Sequence, residues 1–265
     1  MRKKIFKVLL SIFLFFLFVI SNISSNDEVL SDNNYNVFWD GSKKFNYTSY
    51  EKCPNDMIEI FGEYCSNLEE ICLQWADPNN TNGPCLEFKY PTKCLSKTIK
   101  LHYCIDKLPY PYDLNEKPAT QMTWYEAKHI CESQGKRLCN RKEFTQACRG
   151  PENKPMPYGY ARDCSKCNCD RVPWLDPKTH SFEELDKRVP IKDILECKSD
   201  YGVIGLVGNN DRWAYNETEK PYKSALVGGH AVKGARNRCS VATLAHYELY
   251  SDYQAATPLC CKSLN

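Results

Sequence analysis

The chain has 265 residues, with 35 Lys and Arg against 33 Asp and Glu and a formal net charge of +2. A balance so near zero excludes the concentrated basic face that a nucleic-acid binder needs. A hydrophobic content of 42%, with 17 Tyr and 5 Trp, excludes a disordered chain. The length fits one or two domains. Sixteen cysteines point to a disulfide framework in an oxidising compartment, or to a metal protein in a reducing one.

The N-terminus decides between those compartments. Arg2, Lys3, Lys4 and Lys7 precede an apolar run from Val8 to Ile20, interrupted only by Ser11, and small residues follow at Ser21, Ser24 and Ser25. The run is shorter than the ~20 residues that span a bilayer, so residues 1–24 are expected to be a cleaved signal peptide. Cleavage removes four positive charges and no negative ones, taking the net charge from +2 to about −2. No later segment is apolar enough to span a membrane, so a secreted or extracellular product is expected. Three sequons fit that route: Asn46-Tyr47-Thr48, Asn79-Asn80-Thr81 and Asn216-Glu217-Thr218.

Residues 25–50 are polar and aperiodic and are expected to form a flexible lead-in to a domain over 51–265. Six cysteines fall between Cys53 and Cys104 and ten from Cys131 to Cys261, a split that fits either two disulfide domains or one. Two helices follow with a mechanism. Thr123 and Glu126 form a capping box, with Met122 and Ala127 in the staple positions; Ala127, Ile130 and Cys131 share a face, and Gly135 suits the left-handed position after the helix. A second capping box, Asn140 with Glu143, opens a helix that buries Phe144, Ala147 and Cys148 and ends at Gly150.

The remainder has the pattern of short strands and long loops. The glycines of 201–210 predict tight turns, and Ala225-Leu226-Val227 predicts a strand running into the pair Gly228-Gly229. The Pro- and Cys-rich stretch 151–199 is expected to be a loop pinned by disulfides. The predicted class is therefore α+β of irregular type.

Cysteine geometry narrows the pairing. If the residues between Cys139 and Cys148 are helical, the two Cα atoms stand ~13 Å apart, too far for a bond needing under about 7 Å. Adjacent Cys260 and Cys261 are expected to have two different distant partners. The cluster Cys164, Cys167 and Cys169 has metal-like spacing, but behind a signal peptide disulfides are favoured.

Several segments in order resemble one family, the formylglycine-generating or sulfatase-modifying-factor domain. They are Cys53 to Ile60; Tyr103-Cys104-Ile105-Asp106; Pro118 to Ala127; Gly135 to Gly150; Pro157-Tyr158-Gly159; Gly202 to Trp213; and the closing Gly228-Gly229, Arg238-Cys239 and Cys260-Cys261. The resemblance covers about 53–261, with 66–102 as an insertion, and favours one domain. It implies an irregular α+β fold of the C-type-lectin type, rich in disulfides.

Members of that family oxidise a sulfatase cysteine to formylglycine with oxygen, copper and a cysteine pair shortly after the glycine pair. Soft thiolates suit Cu(I), and a thiol can exchange with the substrate. Here the matching stretch, His230 to Arg238, contains no cysteine, so copper is not expected and no catalytic residue is assigned. The family's calcium segment matches at Gly208, Asn209 and Trp213, but Arg212 stands at its acidic position; Asn209 and Asp211 are the calcium candidates that remain. His230, His246 and Glu248 supply an iron-type set, and His230 with Arg236 and Arg238 supplies a patch for acidic groups. The expected function is a secreted pseudoenzyme acting as a binding or structural module toward a protein or glycan ligand. The alternatives are an oxidoreductase with another metal or thiol site, for which Cys164, Cys167 and Cys169 are candidates, and a lectin-like carbohydrate binder.

Overall fold

Strand β1 (Met57–Cys65) turns Ile58, Ile60, Gly62 and Tyr64 inward and leaves Glu59, Phe61 and Glu63 exposed, as expected of a sheet with one covered face, and Met57 and Cys65 are buried at its two ends. The chain then leaves the sheet through four short strands, β2 (Leu68–Glu69), β3 (Cys72–Trp75), β4 (Cys85–Phe88) and β5 (Lys93–Cys94), paired as two hairpin-like ladders. It returns as β6 (Thr98–Asp106), which runs antiparallel to β1 along its whole length, from Met57↔Asp106 to Cys65↔Thr98. The excursion therefore spans 66–97. Residues 98–102, grouped with the insertion by sequence, continue the strand. The computed structural model describes residues 52–171, 175–176, 178–232, 234–251 and 256–264. The N-terminal apolar run, the polar lead-in and the Asn46 sequon lie outside them.

Helix α1 (Trp124–Ser133) starts as predicted, with both halves of the Thr123–Glu126 capping box formed and Gly135 at φ 68° after its end. Its buried residues are Trp124, Ala127 and Cys131; Ile130 is only half-buried. Trp124 takes the inner place because its indole donates to the Ala214 carbonyl at 3.0 Å, while Trp213 donates back to Met122 at 2.8 Å. After β7 (Arg137–Leu138), α2 (Arg141–Arg149) buries Phe144, Ala147 and Cys148 and ends at Gly150, φ 66°. Glu143 accepts from the Asn140 N–H at 2.7 Å.

The stretch 151–199 contains short helical turns, α3 (Cys164–Cys167), α4 (Phe182–Leu185) and a 3₁₀ turn at Ile191–Ile194. Then come β8 (Arg212–Tyr215), β9 (Ser224–Val227), β10 (Ala242–Thr243), β11 (Thr257–Pro258) and β12 (Cys260–Ser263). One sheet runs β1-β6-β12-β7 and a second β10-β9-β8-β11. Among the described residues no helix is long and apolar enough to cross a membrane.

The six early cysteines pair among themselves, Cys53–Cys104, Cys65–Cys94 and Cys72–Cys85. The ten later ones do likewise: Cys131–Cys260, Cys139–Cys261, Cys148–Cys239, Cys164–Cys169 and Cys167–Cys197. No disulfide joins the groups, yet β6 pairs with both β1 and β12, so one sheet spans them and residues Glu51–Asn265 form one compact unit. Its main core gathers Ile60, Tyr103, Ile105, Phe144, Leu206 and Val227.

Candidate functional site

The closing loop begins where β9 runs into Gly228 and Gly229, at φ 88° and 75°. A Cβ on Gly229 would lie 1.9 Å from Asn237 Oδ1, so only glycine fits. Asn237 organises the loop: its Oδ1 accepts from the His230 N–H at 3.1 Å, and its Nδ2 donates to the carbonyls of His230 and Val232, both at 2.9 Å. Asp211, wholly buried, accepts from the Gly229 N–H at 3.1 Å and from Arg236 Nη1 at 3.0 Å, and its second oxygen accepts from Arg236 Nη2. The loop is thus folded around one amide and one ion pair.

A family model for the sulfatase-modifying factor enzyme 1-like domain matches residues 105–253, more than half of the chain. The chain belongs to that family. The matched span begins inside β6, so the excursion with its two ladders lies outside it. No match was found among curated protein sequences. Among solved structures, the crystal structure of CarF is 11% identical over 80% of this chain and 99% of its own, with a TM-score of 0.47. Treponema denticola variable protein 1 is 11% identical over 86% and 98%, with a TM-score of 0.45. The P3c variant of a major tropism determinant is 13% identical over 62% and 51%, with a TM-score of 0.35.

The α+β, disulfide-rich architecture is that of a sulfatase-modifying-factor domain, with its irregular C-type-lectin-like fold, but the metals of the family do not fit the residues present. The family's copper site, for soft Cu(I), is built on thiolate. All sixteen cysteines of this domain are in disulfides, including Cys164 and Cys169, which bond each other, and Cys167, which bonds Cys197. For calcium, Asn209 Oδ1 already accepts from Asn168 Nδ2 at 2.7 Å and from the Val189 N–H at 2.8 Å. Asp211 faces the Arg236 guanidinium. Arg212 is buried beside it, and although burial pushes its pKa down to about 10 it remains a cation at neutral pH. The Asp211 carboxylate is already neutralised by Arg236, and a second buried cation nearby repels a divalent ion.

The remaining predicted residues are not brought together. His230 follows β9, whereas the His246 carbonyl accepts from Ser224 Oγ at 2.6 Å at the strand's other end, ~13 Å of strand away. Glu248 accepts from the Lys223 N–H at 2.7 Å, and its carbonyl accepts from the Trp124 N–H that opens α1. His246 stacks on Tyr250 at 3.9 Å between ring centres. No described metal-like cluster contains these histidines, because the strand between them holds them apart.

Beside His230 lies a cavity of about 10 Å³, room for about one water. Arg236 and Arg238 do meet acidic groups, but the chain's own. Arg238 Nη1 stands 3.4 Å from Glu70 of the excursion, and its guanidinium lies over the Phe88 ring. Of the sequons, Asn79 is exposed in a turn. Asn216 is fully buried, its amide donating to Lys220 and Tyr222 carbonyls at 3.1 and 2.7 Å.

Sequence reasoning missed a larger cleft of about 480 Å³ along the outer face of α2. One signal was present: Arg141, Thr145 and Arg149 recur at helical spacing, in a row beside the one that carries Phe144 and Cys148. The other walls, from the end of β1 and from the chain after Cys239, come from distant sequence.

Proposed function

We propose that this domain is secreted, does not itself generate formylglycine, and acts outside the cell as a binding or structural module. The observation that carries the reading is the state of the sulfurs: every cysteine is bridged, and the stretch from His230 to Arg238 offers none. A disulfide sulfur can neither hold Cu(I) as a thiolate nor open exchange with a substrate cysteine. The disulfide density supports an oxidising compartment, and the basic and apolar start supports a signal peptide over 1–24, followed by a lead-in over 25–50 and the domain over 51–265. Of the two described sequons, the exposed Asn79 is the one that suits a glycan.

The test is incubation of copper-loaded protein with a cysteine-containing sulfatase peptide under oxygen, followed by mass analysis of the peptide. An unchanged peptide is expected. Aldehyde formation that depends on this protein would overturn the reading.

A further inference from the structure

The cleft along α2 has a volume of about 480 Å³, within the ~300–1,000 Å³ usual for small-molecule sites. Its charge is unbalanced. Arg141, Lys142 and Arg149 line it against one carboxylate, Glu217. That carboxylate is already committed to the first turn of α2, accepting from the Lys142 N–H at 3.1 Å and from Arg141 Nε at 3.3 Å. The Lys142 ammonium takes part in no ion pair among the described residues. Arg149 is shared with Glu70 at 3.8 Å and is held in place by the Cys65 carbonyl and Ser240 Oγ, each at 3.0 Å.

The rest of the wall is mostly hydroxyl. Tyr64, Ser66 and Thr145 each present a group that donates or accepts, while Ser240 Oγ is already engaged, accepting from Arg149 and donating to Glu70. Burial pushes the Tyr64 phenol up, so it keeps its proton at neutral pH. The walls are also fixed in advance. Cys65, between Tyr64 and Ser66, is bonded to Cys94, while Cys148–Cys239 ties the end of α2 directly to the segment that begins at Ser240. A preorganised wall loses less entropy on binding.

We propose that this cleft binds an acidic saccharide, its carboxylate or sulfate drawn by Lys142 and its ring hydroxyls bonded to the hydroxyl wall. The assignment rests on the binding-module reading and names its ligand class. A positive rim meets the anion, and charge-assisted hydrogen bonds are stronger than neutral ones. The hydroxyl wall matches a polyhydroxylated body and offers little to an apolar one.

The experiment is calorimetric titration of the whole secreted protein at low ionic strength with four probes: glucuronate, glucose 6-sulfate, glucose and sodium sulfate. At least one acidic sugar is expected to bind at one site per chain, at least about tenfold more tightly than glucose or sulfate. Lys142→Glu should weaken it about tenfold or more with an unchanged thermal midpoint, and Thr145→Val should weaken it without altering the salt dependence. Silence from both acidic sugars at millimolar concentration, or binding that survives Lys142→Glu, would overturn the proposal. Equal binding of glucose would remove the anion from it, and equal binding of sulfate would remove the sugar. Formylglycine formation with saccharide binding intact would sink the binding-module reading alone, so the two failures are separable.

Discussion

Asp211 is wholly buried; one oxygen accepts from both the Gly229 N–H and Arg236 Nη1, and the other from Arg236 Nη2. A carboxylate in that position, without its cation, would be an uncompensated buried charge; the cation without the carboxylate leaves Gly229 N–H unpaired. Asp211→Ala is therefore expected to cost about 3 kcal/mol in urea unfolding. Millimolar calcium should leave the thermal midpoint of the parent unchanged, because Arg236 supplies the positive charge that an ion would bring. A calcium-dependent rise in the midpoint that disappears in Asp211→Ala would restore the metal reading. The motif Gly208-Asn209 was legible, but which partner Asp211 chooses was not, since Arg236 lies 25 residues away.

At the scale of elements, the helices were the most legible part. Capping boxes are contacts between residues three apart, so Thr123 with Glu126 and Asn140 with Glu143 act before any tertiary contact exists. The turn after β9 is different: its glycines are required by neighbours that arrive from elsewhere in the chain. A Cβ at Gly228 would meet the Leu206 carbonyl at 2.3 Å, and one at Gly229 would meet Asn237. Gly229→Ala is expected to destabilise by about 2–4 kcal/mol, combining left-handed backbone strain with overpacking. Gly234→Ala serves as the control. It lies in the same loop with nothing within 4 Å of its Cβ, and its effect should stay within about 0.5 kcal/mol. Equal losses at the two sites would mean that the loop is not packed as described.

For the whole molecule, the eight disulfides fall into two closed groups, and the β-sheet joins what they leave separate. The excursion adds a polar anchor, with Glu70 set between Arg149 and Arg238 and bonded by Ser240. The Arg238 side chain that sequence placed in a ligand patch is instead used to dock this segment. Alkylation without reduction, followed by intact mass, is expected to add no label. Two or more labels at defined cysteines would return thiol chemistry to consideration and name its site.

The helix starts, the strand into the glycine pair and the impossibility of a Cys139–Cys148 bond are all readable from the chain alone, because each depends on spacing along a few residues. The lack of cysteine between His230 and Arg238 was legible for the same reason. Folding in three dimensions was needed to bring Cys260 and Cys261 to Cys131 and Cys139, to set His230 and His246 off opposite ends of β9, and to close three remote segments around the cationic cleft. Those outcomes depend on strand register and sheet order, which juxtapose residues far apart in sequence and leave only a faint local trace, here the cationic face of α2.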